Sequence, residues 1–137
     1  MAEYMEFDTN GSDEDVCEFD LDSLEDAGFD VETALSYSAY DEDIYCETLQ
    51  AYLDSGAEKF NSLKGFYEAG DWKEYEILVH SIKSNSKTVG AMDVSGQALA
   101  LEEAAERQDE DFISQNHDSF MEAYRKALHT INEAREV

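Results

Sequence analysis

Four long segments of the chain repeat apolar residues at steps of three and four, which is the spacing of one face of an α-helix. The first runs from Asp41 to Ala69, the second starts at Trp72, and the third and fourth follow Asp93 and Asp109. The pattern predicts four amphipathic helices. Their inward residues are Tyr45, Leu49, Tyr52, Phe60, Leu63 and Tyr67, then Trp72, Tyr75, Val79, Ile82, Ser86 and Val89, then Val94, Ala98, Leu101 and Ala105, and last Phe112, Phe120, Tyr124, Leu128 and Ile131.

The predicted helices are joined by short connections that contain helix-ending and helix-starting residues. Gly70 and Gly90 are typical of helix C-termini. Asp71, Asp93 and Asp109 are typical N-caps, and Glu74 follows Asp71 at capping-box spacing. Gly56 and Gly65 lie inside the first predicted helix and make that prediction weaker, because each glycine destabilises a helix interior by about 1 kcal/mol relative to alanine. Because short loops return the chain to a neighbouring helix, we expect an all-α, antiparallel, up-and-down four-helix bundle.

The first 40 residues have no long periodic pattern. Residues 1–23 are rich in acidic groups with only scattered large apolar residues, so we expect an acidic, solvated and flexible tail. The alternative is a short docking segment that folds onto the bundle or onto a partner. We place the bundle at residues 24–137 and predict one short extra N-terminal helix at Val31–Tyr37.

The composition fits one domain and narrows the range of partners. The chain has 137 residues, is 42% hydrophobic, contains no proline and carries a net charge of -25. Residues 1–47 hold 17 of its 34 acidic residues and no Lys or Arg. Such a surface repels phosphate backbones and anionic lipid, which argues against nucleic acid and membranes as partners.

Two further features bear on location. Cys17 and Cys46 lack metal-ligand spacing and a wider cysteine framework, so we expect free thiols. The N-terminus has neither a basic start nor an apolar run, and no later stretch is long and apolar enough to span a bilayer. We therefore expect a cytoplasmic location.

His80 is the candidate for chemistry. It directly follows Val79 of the buried stripe, so it is rotated by about 100° from that residue around the helix and is expected to be exposed. Lys83, Ser84 and Lys87 share its side of the helix. Neutral imidazole is a competent nucleophile near neutral pH, and lysine ammonium groups can offset phosphoryl charge. Spacing alone does not distinguish this site from an ordinary surface histidine.

A wider pattern surrounds this residue. The run HSIKSNSKTVGA, from His80 to Ala91, resembles the HSLKGxxxxxGA signature of histidine-containing phosphotransfer (HPt) domains. Upstream, LEDAGFDVETAL at residues 24–35 and DEDIYCETLQAYL at residues 41–53 are similar to the family's lead-in segment and first long helix. Downstream, LALEEAA at residues 99–105 resembles its LExAA element. The resemblance covers roughly residues 24–134.

The resemblance implies a four-helix bundle and a phosphorelay role. His80 matches the phosphoacceptor of the family and Lys83 the lysine beside it, with Lys87 as a second nearby cation. Ser84 stands where the family usually has glycine, and we expect this change to tune partner choice. Ile77 and Ser84, with both lysines, are the expected contacts for partners.

The family also implies what works with this chain. The phosphoryl group would pass between aspartates of response-regulator receiver domains, fed by a hybrid histidine kinase. Magnesium is expected on the receiver, and no cofactor is expected on this chain. No nucleotide-binding glycine loop is present, so the chain is expected to lack its own kinase activity. A monomer is expected.

Other candidate features have ordinary structural explanations, and two rival functions stay open. We expect His117 and His129 to be surface residues, the carboxylates Asp41–Asp43 to be a solvated helix start, and the aromatic stripe from Tyr45 to Tyr75 to be core. One rival function is a non-catalytic helical adaptor with an incidental surface histidine. In the other, the chain is the phosphotransfer module of a larger kinase.

Overall fold

The computed structural model describes residues 17–135, so residues 1–16 of the predicted acidic tail at residues 1–23 lie outside the described part. The described part contains six α-helices and no β-strand. The helices are α1 (Leu21–Asp26), α2 (Val31–Tyr37), α3 (Glu42–Ala69), α4 (Trp72–Val89), α5 (Met92–Glu106) and α6 (Glu110–Glu133). The all-α prediction is confirmed, and so are the bounds of the short helix at Val31–Tyr37.

Most helix ends follow the local signals in the sequence. The side chains of Asp41, Asp71 and Asp109 accept hydrogen bonds from backbone amides in the first turns of α3, α4 and α6. Gly70 and Gly90 end α3 and α4 with φ values of 69° and 87°, which glycine adopts without steric cost.

The predicted start of α5 is wrong. Its N-cap is Ala91, which makes no side-chain cap hydrogen bond, and Asp93 lies inside the first turn. The physical reason is the tight turn at Gly90: the Ala91 amide donates to the Ser86 carbonyl, and the Met92 amide to the Gly90 carbonyl, so the helix begins immediately after the turn. Asp93 in the first turn still complements the positive end of the helix dipole.

The four long helices pack in the cyclic order α3, α4, α5, α6, with α6 returning to α3. Successive helices joined by such short connections run antiparallel, so the predicted up-and-down bundle is confirmed. The core contains aromatic residues from three helices, including the fully buried Tyr45, Tyr75, Phe120 and Tyr124. Phe60, Tyr67 and Trp72 of the aromatic stripe are partly buried against this core, as a core assignment requires.

The N-terminal segment packs more extensively than the sequence pattern suggested. An additional short helix, α1, precedes α2, and Phe19 is only 5% exposed. Phe19 forms an isolated antiparallel bridge with Arg135, and the Asp20 amide donates to the Ala134 carbonyl. The packed part of the chain therefore extends at least to Phe19.

The expectation of free thiols is wrong: Cys17 and Cys46 are paired as a disulfide, with their Cα atoms 5.5 Å apart. The pairing depends on the bridge at Phe19, which carries the N-terminal segment to the end of the bundle where α3 begins. Two cysteines 29 positions apart give no sign of this proximity in the sequence.

Gly56 and Gly65 of α3 have different surroundings. Gly56 is buried, and a Cβ atom there would lie 2.5 Å from Cδ2 of Leu128, so α3 and α6 approach closely at this point. Gly65 has open space around it. Among residues 17–135, no helix is both long and apolar enough to cross a membrane.

Candidate functional site

His80 lies in the middle of α4, on the side of the bundle that faces away from the core. Val79 and Ile82 beside it are fully buried, whereas the His80 side chain is 58% exposed. Ile77 and Ser84, three residues before and four after, are also exposed, and Lys87 follows one turn later. These four residues form a continuous exposed stripe along α4, which agrees with the predicted rotation away from the buried face.

The turn at Gly90 brings α5 alongside this stripe. α5 packs directly against α4, and the Ser95 hydroxyl of α5 donates to the Lys83 carbonyl of α4. A Cβ atom at position 90 would lie 2.7 Å from the Asp30 carbonyl oxygen, so only glycine fits between α2 and the turn. α4 and α5 then run antiparallel, and the second half of α5 lies beside His80.

Glu102 of α5 connects His80 and Lys83. Its Oε2 lies 2.6 Å from Nδ1 of His80, and its Oε1 lies 2.8 Å from Nζ of Lys83. The Lys83 and Glu102 side chains are 25% and 18% exposed, so both are more shielded from water than the imidazole ring. We call His80, Lys83 and Glu102 the α4–α5 site.

Glu102 is held in its ionised form. Its partial burial by itself would raise the pKa, but the Lys83 ammonium and the hydrogen bond from His80 outweigh that effect and lower the pKa below the usual value of a glutamate. An ionised carboxylate can only accept hydrogen bonds, so Nδ1 of His80 is the donor. In the neutral ring, Nε2 is then the nitrogen that carries the lone pair.

Sequence reasoning missed Glu102 as a site residue. The LExAA resemblance included it, but its link to His80 depends on the pairing of two helices across 22 positions. Sequence reasoning also did not single out Leu99, which lies one turn before Glu102 on α5 and is 43% exposed. With Ile77, which is 56% exposed, it gives the surface around the site two apolar side chains.

Lys83 and Lys87 differ in a way that their spacing did not show. Lys83 points toward α5 and pairs with Glu102, whereas Lys87 belongs to the exposed stripe. The structure therefore brings His80 and Lys83 together through a carboxylate, and it leaves Lys87 and Ser84 on the open surface next to them.

The expectation that His117 is a surface residue is wrong. Its side chain is only 3% exposed, stacks on the Tyr67 ring with centroids 3.8 Å apart, and shares a 2.9 Å hydrogen bond between Nδ1 and the Tyr75 hydroxyl. Burial lowers its pKa despite the opposing effect of nearby Asp118 and Glu68. The signal for this burial was available, because Ile113, His117, Phe120 and Tyr124 follow the same three-and-four spacing as the rest of the α6 core face.

The remaining candidates have the simple structural roles that were expected. His129 is exposed and lies 3.4 Å from Glu133, one turn further along α6. Asp41 caps α3, and Glu42 and Asp43 fall in its first turn. Within residues 17–135, no group of three or more His, Cys, Asp or Glu side chains is arranged to hold a metal ion.

Comparison with known proteins gives one match. A sequence model described as the Hpt domain matches residues 47–134, which includes all of the α4–α5 site. No curated protein and no solved structure matches the chain.

Proposed function

Since the chain belongs to the Hpt domain family, we propose that it carries a phosphoryl group on Nε2 of His80 between receiver-domain aspartates in two-component signal transduction. The observation that supports this most is the geometry of the α4–α5 site. An exposed imidazole ring has one nitrogen fixed by an ionised carboxylate, and its other nitrogen is left free to react.

The proposed reaction needs no proton transfer at the reacting nitrogen. The Nε2 lone pair attacks the phosphorus of an aspartyl phosphate on a receiver domain, the nitrogen–phosphorus bond forms, and the bond from phosphorus to the aspartate oxygen breaks. The aspartate leaves as a carboxylate. The phosphorylated ring is then a cation with a proton on Nδ1, and Glu102 at 2.6 Å stabilises that charge.

Release is the reverse reaction with a different acceptor. A carboxylate oxygen of a second receiver aspartate attacks phosphorus, and the nitrogen–phosphorus bond breaks to restore neutral imidazole. The hydrogen bond to Glu102 keeps the same ring orientation in both directions, which lowers the entropic cost of each transfer. The magnesium ion and the aspartates belong to the receivers, so this chain acts as a carrier without its own kinase.

The two lysines have separate roles in this proposal. Lys83 is a positioning residue, because its Nζ lies 2.8 Å from Glu102 Oε1 and holds the carboxylate that orients the ring. Lys87 lies two turns along the same face from His80, where its ammonium group can offset charge on the phosphoryl oxygens. The His80 side chain stays 58% exposed beside them.

The docking surface for receivers is proposed to surround His80. Ile77 and Leu99 are exposed apolar residues one turn before His80 and Glu102 on their helices, and the buried centre of an interface is more apolar than its rim. Ser84, where the family usually has glycine, adds one hydroxymethyl group to the exposed stripe. We propose that this small group selects among receivers, that a hybrid histidine kinase supplies the phosphoryl group, and that the carrier works as a cytoplasmic monomer.

The experiment that tests this function is transfer from a phosphorylated receiver. The full chain is mixed with receiver domains labelled on their aspartate, and the label on the chain is tested for stability in acid and in base. A phosphohistidine is labile in acid and stable in base, so we expect a label of that kind on the wild type and none on His80→Gln. If no receiver labels the wild type, the adaptor function replaces this proposal. If His80→Gln is labelled equally, His80 is not the acceptor.

A further inference from the structure

A second surface feature, separate from the α4–α5 site, is a groove between α3 and α6. It has a volume of about 480 Å³. Partly buried apolar side chains line it, with Leu53 and Phe60 from α3 and Leu128 from α6. Arg125, His129 and Arg135 also line it. We call this surface the α3–α6 groove.

The basic lining is unusual for this molecule. The chain has nine Lys and Arg residues against 34 acidic ones, yet the groove gathers two arginines and a histidine around an apolar floor. Arg125 and His129 contact Glu122 and Glu133, but both pairs are exposed helix-surface pairs and therefore weak. Asp54 is the one acidic residue in the groove lining. An acidic segment with apolar side chains complements this surface.

The chain itself contains such a segment. Residues 1–16 include six acidic residues and no Lys, Arg or His, and their sequence places Tyr4, Met5 and Phe7 within four positions. They join the described structure at Cys17, which is paired with Cys46 near the start of α3. Phe19 then packs under the guanidinium of Arg135, which is itself a groove residue. The acidic segment therefore starts at one end of the groove.

The distances allow the segment to reach along the whole groove. From the level of Cys46 to that of Asn61, at the far end of the groove lining, α3 rises by about 22 Å. The nine peptide steps from Cys17 back to Asp8 span up to about 30 Å when extended. A segment tethered this close to its site also has an effective concentration in the millimolar range, which favours binding within one chain over binding between chains.

We propose that the α3–α6 groove is the docking site of Glu3–Asp8, which is part of the chain's own acidic segment at residues 1–16. Tyr4, Met5 and Phe7 contact the apolar floor, and the carboxylates of Glu3, Glu6 and Asp8 pair with the basic rim. Docking there covers the α3–α6 groove and leaves the α4–α5 site open.

The test places a photoreactive benzophenone side chain at position 7 of the full chain. After illumination, cross-linked peptides are mapped by mass spectrometry. We expect cross-links within one chain to residues 53–61 and 125–132. Cross-links mainly to α4 or α5, or to no groove residue, overturn the proposal. Cross-linked dimers joined through the groove also overturn it, because the occupant is then a second copy.

A matched pair of charge reversals tests the role of the rim. Arg125→Glu changes a groove residue, whereas Lys126→Glu changes the next exposed base, which does not line the groove. We expect Arg125→Glu to lower the groove cross-link yield about two- to five-fold, the usual range for an exposed ion pair. Lys126→Glu is expected to leave the yield unchanged. Equal yields in both variants, or equal losses, contradict a rim that pairs with the acidic segment. Circular dichroism confirms that each variant keeps its helix content.

Discussion

His80 and His117 are the same side chain in opposite surroundings. His80 lies on the α4–α5 site, 58% exposed, with a carboxylate at 2.6 Å. His117 lies inside the bundle and is 3% exposed. Its ring stacks on Tyr67 and shares a hydrogen bond with the Tyr75 hydroxyl. The Glu102 carboxylate fixes one ring nitrogen of His80, whereas burial against two aromatic rings favours the neutral form of His117. We therefore predict that His80 serves phosphoryl transfer and that His117 stabilises the fold.

The largest expected effect is on stability at the buried site. Replacing His117 with alanine removes its stack on Tyr67, leaves a cavity and takes away the partner of the Tyr75 hydroxyl. We expect His117→Ala to lower the free energy of unfolding by about 3 kcal/mol in urea denaturation. His80→Ala is the matched control and is expected to change it by less than about 0.5 kcal/mol. Equal losses in the two variants contradict the comparison.

The next effect concerns the rate of transfer at the exposed site. Glu102→Ala frees the imidazole ring and removes the negative charge that stabilises its cation. We expect phosphoryl acceptance to slow by about 10-fold or more, by analogy with metal sites, where removing a carboxylate that orients a histidine costs about 10- to 100-fold. Glu103→Ala, at an exposed neighbouring position, is the control and should keep the wild-type rate. Glu102→Gln keeps an acceptor and should retain part of the rate. If Glu102→Ala transfers at the wild-type rate, Glu102 does not orient His80.

A smaller effect isolates one hydrogen bond of the buried site. Tyr75→Phe keeps the ring but removes the hydroxyl that lies 2.9 Å from His117 Nδ1. We expect a loss of about 1 to 2 kcal/mol in the free energy of unfolding, because a buried polar atom loses its partner. A double-mutant cycle with His117→Ala measures how much of that loss depends on the histidine. Additive losses indicate that the two residues do not interact.

The smallest effect is on the pH dependence of stability. Burial lowers the pKa of His117 in the folded chain, so just below the pKa of an unfolded-chain histidine, about 6.5, the unfolded chain binds more protons than the folded chain. The contribution of His117 to the free energy of unfolding is therefore complete above about pH 6.5, and it falls as the pH drops below that value. Urea denaturation between pH 7.5 and pH 5.5 measures it. If His117→Gln shows the same pH dependence as the wild type, the explanation is wrong.

The parts of the fold that local signals determine were predictable from the sequence. The caps at Asp71 and Asp109 and the glycine ends at Gly70 and Gly90 depend on residues within one turn of each other, and the structure confirms them. The start of α5 depends on how the Gly90 turn is bonded, and Asp93 was therefore a wrong choice. Short-range sequence patterns predict a helix end correctly where that end depends only on residues within one turn of it.

The parts that depend on contacts between helices were harder to predict. The exposure of His80 follows from its position on α4, but its partner Glu102 comes from α5 and needed the packing of the two helices. The disulfide between Cys17 and Cys46 likewise depends on where the N-terminal segment returns to the bundle. His117 differs from both, because its buried position followed from the α6 spacing.

The central claim, that His80 carries the phosphoryl group on Nε2, is tested most directly by locating that group on the wild-type chain. The full chain is phosphorylated by a labelled receiver, digested under conditions that spare phosphohistidine, and analysed by mass spectrometry and phosphorus NMR. We predict a single modified residue, His80, with phosphorus bonded to Nε2. A phosphoryl group on Nδ1, on His129, or on a serine such as Ser84 would contradict the account.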